Sequence, residues 1–231
     1  MKNKIIVALD VDTPIEAEKL FKSLSPFVGG FKVGPRLTFR CDKLFLKDIS
    51  QSGILFFDHK FFDIPSTTAA AVEVASEMGA HWVTVHALNG PECLKQLSVT
   101  EKAIQSQKSD FRILVVTVLT SFSEQTLPII WKLQSIQAST QQLAAQAQSC
   151  GLNSYVCSPE EIKILRNQNK EAFLVVPGIR PVGSSNADQS RVALPLEAVK
   201  LGASAIVVGR PIIQSSDPVK ATKEILESLN E

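Results

Sequence analysis

An Asp-x-Lys-x-x-Asp motif, formed by Asp58, Lys60 and Asp63, follows a short apolar run at residues 54–57. Such a run is typical of a strand that is covered on both faces. Side chains two positions apart in a strand point to the same face, so the Asp58 carboxylate and the Lys60 ammonium are predicted to emerge together at the carboxyl end of the strand. Charged groups that are costly to desolvate must neutralise one another, and such clusters collect at functional sites. The alternative is a surface ion pair with Asp63 as a helix cap.

The elements that carry this motif repeat one plan, in which a helix end is followed by a glycine and a buried strand. The plan is clearest around Gly79, Gly151 and Gly202. Besides the run at 54–57, strands are predicted at 4–9, 30–34, 113–119 and 173–176 and within 78–86, 150–156 and 201–209. Helices are predicted at 13–24, 37–50, 67–78, 94–106, 124–149, 159–166 and 197–200.

Strands that alternate with helices predict a parallel sheet. Eight such units in 231 residues, roughly 29 residues each, indicate an α/β fold of the (β/α)8 TIM-barrel class. No linker or low-complexity stretch divides the chain, so residues 1–231 are predicted to form a single barrel domain. An open, doubly wound sheet is the alternative fold.

The composition argues against several classes of partner. Lys and Arg number 24 against 23 Asp and Glu, which gives a net charge of +1, and no basic stripe indicates a nucleic-acid partner. No apolar segment is long enough to cross a membrane and the run at 5–9 is too short for a signal peptide, so a cytoplasmic protein is expected. The four cysteines lack metal-site spacing and are expected to be buried, reduced thiols.

Barrel active sites lie at the carboxyl ends of the strands, so the polar residues there are predicted to form one site. These residues are Asp10, Lys32, Asp58, Lys60, His86, Thr120, Ser121, Arg180, Gly209 and Arg210. Arg180 and Arg210 follow the seventh and eighth strands, where barrels commonly bind phosphate through loop amides and a helix N-terminus, and an arginine adds a bidentate contact. The Gly- and Ser-rich segment 181–189 between them is either a mobile lid with Gln189 as an amide donor or a plain surface loop.

Motifs spread in order over most of the chain resemble those of the orotidine 5′-phosphate decarboxylase family. They are Ala8-Leu9-Asp10, Phe31-Lys32-Val33-Gly34, Asp58-x-Lys60-x-x-Asp63-Ile64-Pro65-x-Thr67, Val116-Thr117-Val118-Leu119-Thr120-Ser121, Pro177-Gly178-Ile179-Arg180, Asp188-Gln189-x-Arg191-Val192 and Val208-Gly209-Arg210-Pro211. Together they are specific, whereas the Asp-x-Lys-x-x-Asp motif alone is shared with related sugar-phosphate decarboxylases.

The resemblance implies the decarboxylation of orotidine 5′-phosphate to UMP without a cofactor or a metal. It implies that Lys60 donates a proton to C6 of the substrate and that Lys32, Asp58 and Asp63 complete a charged network. It also implies a homodimer in which Asp63 and Thr67 reach the active site of the partner subunit. The other implied contacts are Asp10 and Lys32 to ribose, Thr120 and Ser121 to the pyrimidine, and Arg180, Gln189, Arg210 and the Gly209 amide to phosphate and loop closure.

Three places depart from the family pattern. His59 stands where the family usually has Leu, Phe62 where it often has His, and Pro35-Arg36 is unusual after Gly34. Strand alternation predicts that His59 points away from Asp58 and Lys60 and has a packing role.

Two other functions stay open on the same barrel. One is a Mg²⁺-dependent sugar-phosphate decarboxylase or aldolase, and the other is a nucleotide-phosphate-binding barrel without chemistry. Lys32 argues against the first function, because it occupies a strand end where a carboxylate could help bind the metal. The intact set of charged residues argues against the second.

Overall fold

Eight parallel strands form a closed barrel in which each strand pairs with the next along the chain and the eighth pairs with the first. A computed structural model describes residues 4–131, 134–181 and 191–229. The strands are β1 (Ile5–Ala8), β2 (Gly30–Val33), β3 (Ile54–Phe61), β4 (Trp82–His86), β5 (Arg112–Val116), β6 (Ser154–Val156), β7 (Phe173–Val176) and β8 (Ala205–Val208). The predicted (β/α)8 barrel is therefore confirmed, and the alternative prediction of an open, doubly wound sheet is wrong.

Helices follow the strands and cover the outside of the barrel. They are α1 (Pro14–Leu24), α2 (Pro35–Thr38), α3 (Lys43–Ser52), α4 (Pro65–Glu77), α5 (Gly90–Gln105), α6 (Ile136–Ser149), α7 (Ile162–Gln168), α8 (Pro195–Lys200), α9 (Arg210–Ile213) and α10 (Pro218–Ser228). Short polar residues fix several starts: the side chain of Thr13 accepts the Glu16 N–H, and that of Asp217 accepts the Lys220 N–H. Such caps satisfy N–H groups that have no partner inside the helix.

The glycines of the repeated plan adopt the left-handed backbone that their position requires. The φ angles of Gly79, Gly151 and Gly202 are +99°, +94° and +108°. A residue with a Cβ atom is strained there, whereas glycine ends a helix in this conformation without penalty. The glycines therefore turn the chain from helix to strand at three places, as predicted.

Two helix predictions were wrong in their extent. The predicted helix at 37–50 is divided into α2 and α3, because the Asp42 side chain accepts the Phe45 N–H and begins a new helix. The predicted helix at 124–149 begins only at Ile136, where Ser135 is the cap, and a single 3-10 turn at Ile129–Trp131 precedes it. The predicted strand at 113–119 ends at Val116, which leaves Thr120 and Ser121 in a loop.

The barrel interior is a packed apolar core. Its buried members are Ile6, Ala8, Phe56, Trp82, Leu114, Val116, Val156, Val175, Ala205 and Val207. The indole of Trp82 meets the rings of Phe56 and Phe173 edge to face, with centroids 5.8 and 5.3 Å apart. Because side chains fill the barrel, a ligand site must lie above this layer, at the strand ends.

The prediction of buried thiols is confirmed for three of the four cysteines. All four cysteines are free; Cys93, Cys150 and Cys157 are buried and Cys41 is partly buried. Within the three described ranges, no helix has the length and apolar character that a bilayer span requires.

Candidate active site

Four charged side chains form a row across the carboxyl ends of β1, β2 and β3. Lys32 Nζ lies 3.0 Å from Asp10 Oδ1 and 3.3 Å from Asp58 Oδ2. Lys60 Nζ lies 2.7 Å from the other carboxylate oxygen of Asp58, Oδ1. Negative and positive groups therefore alternate along a charged row that consists of Asp10, Lys32, Asp58 and Lys60. The structure brings together these four residues that the sequence placed at neighbouring strand ends.

The middle of the charged row is shielded from solvent, and its groups hold one another ionised. The side chains of Lys32 and Asp58 are 12% and 16% exposed. Burial alone raises the pKa of Asp58, but the nearby charges of Lys32 and Lys60 lower the pKa of this carboxyl to about 2. Burial likewise lowers the pKa of Lys32, but Asp58 and Asp10 raise it above its ordinary value. The result is a partly buried carboxylate held between two ammonium groups at neutral pH.

The strand that carries Asp58 and Lys60 is bulged between these two residues. Phe57 of β3 pairs with Val83 of β4 and Phe61 pairs with Val85, so residues 58–60 lie opposite Thr84 alone. Lys60 has a φ angle of +50° and is the only non-glycine residue with a positive φ among those described. Such a conformation costs roughly 1–2 kcal/mol in an L-residue. Asp58 and Lys60 do lie together as predicted, but a bulge places them there and not the regular alternation of a strand.

Thr84 is a buried residue of the site that sequence reasoning missed. Its Oγ1 accepts the Lys60 backbone N–H at 2.8 Å and lies 3.2 Å from Asp58 Oδ1. The signal in the sequence was slight: Thr84 is a polar residue between two valines in a strand that is otherwise buried.

His59 packs away from the charged row, as predicted. Its ring lies between those of Phe57 and Phe61, with centroid distances of 5.4 and 5.3 Å. Its Nε2 lies 3.0 Å from Thr38 Oγ1 in α2. Burial is the main reason why the pKa of His59 is lowered, although the charge of Asp58 acts in the opposite direction. The contact of His59 with Thr38 links β3 to the helix behind it.

A cavity of about 690 Å³ opens above the barrel core, with the charged row on one side. The rest of the wall consists of residues that follow β5, β7 and β8. Its polar members are Thr120, Ser121, Gly178, Arg180, Gly209, Arg210 and Gln214. Apolar side chains close the floor, and among them are Val116, Val156 and Val207. A polar rim over an apolar floor is typical of a site for a small ligand.

The departure at Pro35-Arg36 places a guanidinium at the edge of this cavity. Arg36 Nε and Nη2 donate to the two carboxylate oxygens of Asp12 at 2.7 and 2.9 Å. The hydrogen bond from Arg36 is the main reason why the pKa of Asp12 is lowered. Asp12 comes shortly after Asp10 in the chain, and Arg36 comes shortly after Lys32. This bidentate pair therefore connects the two chain segments that follow the first two members of the charged row.

Asp63 and Thr67 do not line the cavity of their own chain, and both are exposed. The turn that carries Asp63 is held by Asn89, whose Oδ1 accepts the Asp63 N–H at 3.1 Å. Asn89 Nδ2 donates to the carbonyl oxygens of Phe61 and His86, each at 2.9 Å. Asn89 therefore holds the exposed turn that carries Asp63 after the carboxyl end of β3. Gln189 lies outside the described residues.

A buried ion pair supports the loop that carries Thr120 and Ser121. Arg191 contacts the Glu161 carboxylate, which also accepts the Ser158 N–H at 2.8 Å. Arg191 Nη2 donates to the Leu119 carbonyl at 3.0 Å. The side chains of Arg191 and Glu161 are 7% and 0% exposed. The arginine of the Asp-Gln-x-Arg motif is thus built into the scaffold beside the cavity.

The described residues contain no group of three or more His, Cys, Asp and Glu side chains with the arrangement of a metal site. At the charged row itself, the Lys32 ammonium occupies the position between two carboxylates that a cation would take.

The fold and the site define a (β/α)8-barrel protein with a lysine- and carboxylate-lined cavity at the carboxyl ends of its strands, which is where barrel enzymes have their active sites. Residues 3–225 match the family described as Orotidine 5′-phosphate decarboxylase / HUMPS. The chain therefore belongs to this family, as its motifs indicated.

Individual relatives match over nearly their full length. Orotidine 5′-phosphate decarboxylase from Mannheimia succiniciproducens is 40% identical over 233 residues, covering 100% of this chain and 97% of the relative. The enzyme of the same name from Trichlorobacter lovleyi is 36% identical over 230 residues, covering 99% and 95%. The crystal structure of orotidine 5′-phosphate decarboxylase from Lactobacillus acidophilus superposes with a TM-score of 0.81 at 31% identity, covering 98% of this chain and 99% of that one.

Proposed function

We propose that this protein is an orotidine 5′-phosphate decarboxylase, a carboxy-lyase that converts orotidine 5′-phosphate to UMP. The observation that carries the proposal is the charged row of Asp10, Lys32, Asp58 and Lys60 at one side of the cavity. Full-length relatives with this activity in their names support the same reaction.

The reaction breaks the bond between C6 and the carboxylate carbon, and the electron pair stays on C6 while CO₂ leaves. A fixed ammonium at Lys60 stabilises that negative charge and then transfers its proton to C6. Lys60 Nζ is suited to this role because Asp58 Oδ1 holds it at 2.7 Å. A group that is positioned before the reaction stabilises the transition state without reorganisation. In this proposal the protein needs neither a metal nor an organic cofactor.

Substrate binding is proposed to follow the polar rim of the cavity. Asp10 and Lys32 contact the ribose, and Thr120 and Ser121 contact the pyrimidine. Arg180, Arg210 and the Gly209 amide bind the phosphate, together with Gln189 from the segment outside the described residues. The described members of this set all line one cavity, which supports this assignment. Phosphate binding far from C6 supplies energy that orders the reacting end of the substrate.

We also propose a homodimer in which Asp63 and Thr67 complete the site of the partner subunit. Two large apolar side chains beside Asp63 support this, since Phe62 and Ile64 are 63% and 64% exposed. Adjacent exposed apolar side chains favour burial in an interface. The cytoplasmic location expected from the sequence stays a prediction.

The proposed reaction is tested by the ultraviolet absorbance of orotidine 5′-phosphate with and without the protein, since loss of the ring carboxylate changes the chromophore. We expect the substrate spectrum to convert to that of UMP at the same rate with and without excess EDTA. No conversion contradicts the proposed function. Conversion that EDTA abolishes and Mg²⁺ restores would favour the metal-dependent alternative.

A further inference from the structure

Thr84 lies at the one place where the pairing of β3 and β4 is irregular. Residues 58–60 stand opposite Thr84 alone, because Phe57 pairs with Val83 and Phe61 with Val85. A bulge leaves backbone groups without their usual partners in the neighbouring strand. The Thr84 side chain lies on the same face of β4 as Trp82, two positions earlier, and therefore points into the barrel.

The Thr84 hydroxyl connects both residues that act on the substrate in the proposed mechanism. Its oxygen accepts the Lys60 N–H at 2.8 Å. Its single proton has two acceptors within reach, Asp58 Oδ1 at 3.2 Å and the Phe57 carbonyl at 3.4 Å. The residue has no exposed surface, so water does not compete for these contacts. One hydroxyl therefore fixes the left-handed backbone at Lys60 and faces the carboxylate that holds the Lys60 ammonium.

We propose that Thr84 is a positioning residue for the decarboxylation, whose hydroxyl sets the position of the Lys60 ammonium relative to Asp58. The proposal rests on the proposed function for its catalytic consequence. Its structural part, that the Thr84 hydroxyl positions Lys60, is independent of the substrate. Thr84 itself does not touch the substrate, because Asp58 and Lys60 line the cavity and Thr84 does not.

The test compares Thr84→Val, which keeps the shape and removes the hydroxyl, with Thr84→Ser, which keeps the hydroxyl. Thr117→Val is the matched control: Thr117 is also fully buried, and its hydroxyl has no hydrogen-bond partner among the described residues. We expect Thr84→Val to lower kcat by about 10- to 100-fold, since a misplacement of about 1 Å at a reacting group can have an effect of that size. KM and the Kd of UMP are expected to stay within about twofold, because Thr84 does not line the cavity and the proposed phosphate and pyrimidine contacts follow β5, β7 and β8.

Thr84→Ser is expected to restore most of kcat, and Thr117→Val to leave it unchanged. A purely structural role predicts a different pattern: kcat, UMP affinity and thermal stability fall together in Thr84→Val, or Thr84→Ser loses as much as Thr84→Val. Either of these patterns overturns the proposal, as does an unchanged kcat in Thr84→Val.

A second measurement does not depend on turnover. The NMR signal of the Lys60 side chain, in protein with labelled lysine, is expected to shift in Thr84→Val and to return in Thr84→Ser. An unchanged Lys60 signal in Thr84→Val overturns the positioning role whatever the substrate is. If the unmodified protein does not convert orotidine 5′-phosphate but the Lys60 signal shifts, the proposed function fails and the structural coupling stands.

Discussion

The two oxygens of the Asp58 carboxylate face different lysines, and this arrangement decides whether Asp58 itself can act as the acid. Oδ1 contacts Lys60 and Oδ2 contacts Lys32. With a pKa of about 2, Asp58 carries no proton near neutral pH. Asp58 can therefore orient an ammonium group but cannot protonate C6. The two ammonium groups that this carboxylate holds are the candidates, and Lys60, held at the shorter distance of 2.7 Å, is the proposed proton donor.

Arg210→Ala is expected to weaken the binding of UMP by about 1.5–3 kcal/mol, the usual size of one hydrogen bond to a charged group. Calorimetric titration with UMP and with uridine separates the phosphate contact from the rest of the site. The affinity for uridine should stay unchanged, because uridine has no phosphate. Equal weakening of both ligands would show that Arg210 does not act through the phosphate.

The bulge in β3 and the turn after it form one unit that the next strand holds in place. Thr84 contacts the bulge at Lys60, and Asn89 contacts the turn at Phe61 and Asp63. Both supporting residues come from β4 and the short 3-10 turn that follows it at Ala87–Asn89. The positions of Lys60 and Asp63 therefore depend on the same neighbouring element.

Asn89→Ala is expected to lower the free energy of unfolding by about 1–3 kcal/mol, because the partly buried carbonyls of Phe61 and His86 lose their hydrogen-bond partner. We also expect kcat to fall, since the turn that aims Asp63 is no longer fixed. Urea denaturation and steady-state kinetics measure the two effects. Ser106→Ala is a suitable control, because Ser106 Oγ donates to a carbonyl on the exposed end of α5, far along the chain from the site. Unchanged kcat in Asn89→Ala would contradict a role of this turn in the reaction.

The strands could be predicted because each one is marked by residues close in sequence. Gly79, Gly151 and Gly202 have positive φ angles and stand directly before buried strands, so the repeat was visible without the structure. The helix boundaries at Asp42 and Ser135 were missed, because an apolar pattern continues past them and only the capping contact separates the segments.

The charged row could also be predicted, since the carboxyl ends of parallel strands meet at one end of a barrel. The contacts of Thr84 could not, because they depend on the register between β3 and β4, which no local pattern specifies. The same holds for the Asp12–Arg36 pair, which joins loops after different strands. The roles of Asp63, Thr67 and Gln189 remain predictions.

The exposure of Asp63 and Thr67 has a consequence for the assembled molecule. If each subunit lends these residues to its partner, Lys60→Ala and Asp63→Ala chains are both inactive alone, but their heterodimer contains one intact site. Mixing the two variants under conditions of subunit exchange should restore about a quarter of the wild-type activity for random pairing of equal amounts. Mixing two preparations of Lys60→Ala is the control. Failure to restore activity, with exchange verified, would contradict shared sites.

The three histidines are expected to lower the stability of the protein below about pH 6.5. The chain has three histidines, and burial is the main cause that lowers the pKa of His59, His81 and His86. Because the pKa of each histidine is lower in the folded protein, the unfolded chain binds protons first as the pH falls. The stabilising contribution of the histidines is therefore complete above the unfolded pKa of about 6.5. It is lost as the pH falls through the folded pKa. Asp58 adds nothing to this change, since its contribution is lost only below about pH 4.

Urea denaturation at about pH 7.5 and about pH 5.5 measures this dependence. We expect a lower midpoint at the acidic pH, and a smaller difference in His59→Gln. A midpoint that is constant or rises on acidification would contradict the direction of the three pKa shifts.

The most direct test of the reaction mechanism compares orotidine 5′-phosphate turnover by the wild-type protein and by Lys60→Ala. Lys95→Ala, which removes an exposed lysine on α5, is the control. UMP binding establishes that each variant is folded. We predict that Lys60→Ala binds UMP but has no detectable decarboxylation, whereas Lys95→Ala matches the wild type. Decarboxylation by Lys60→Ala at a rate near that of the wild type would contradict the role of Lys60 as the proton donor.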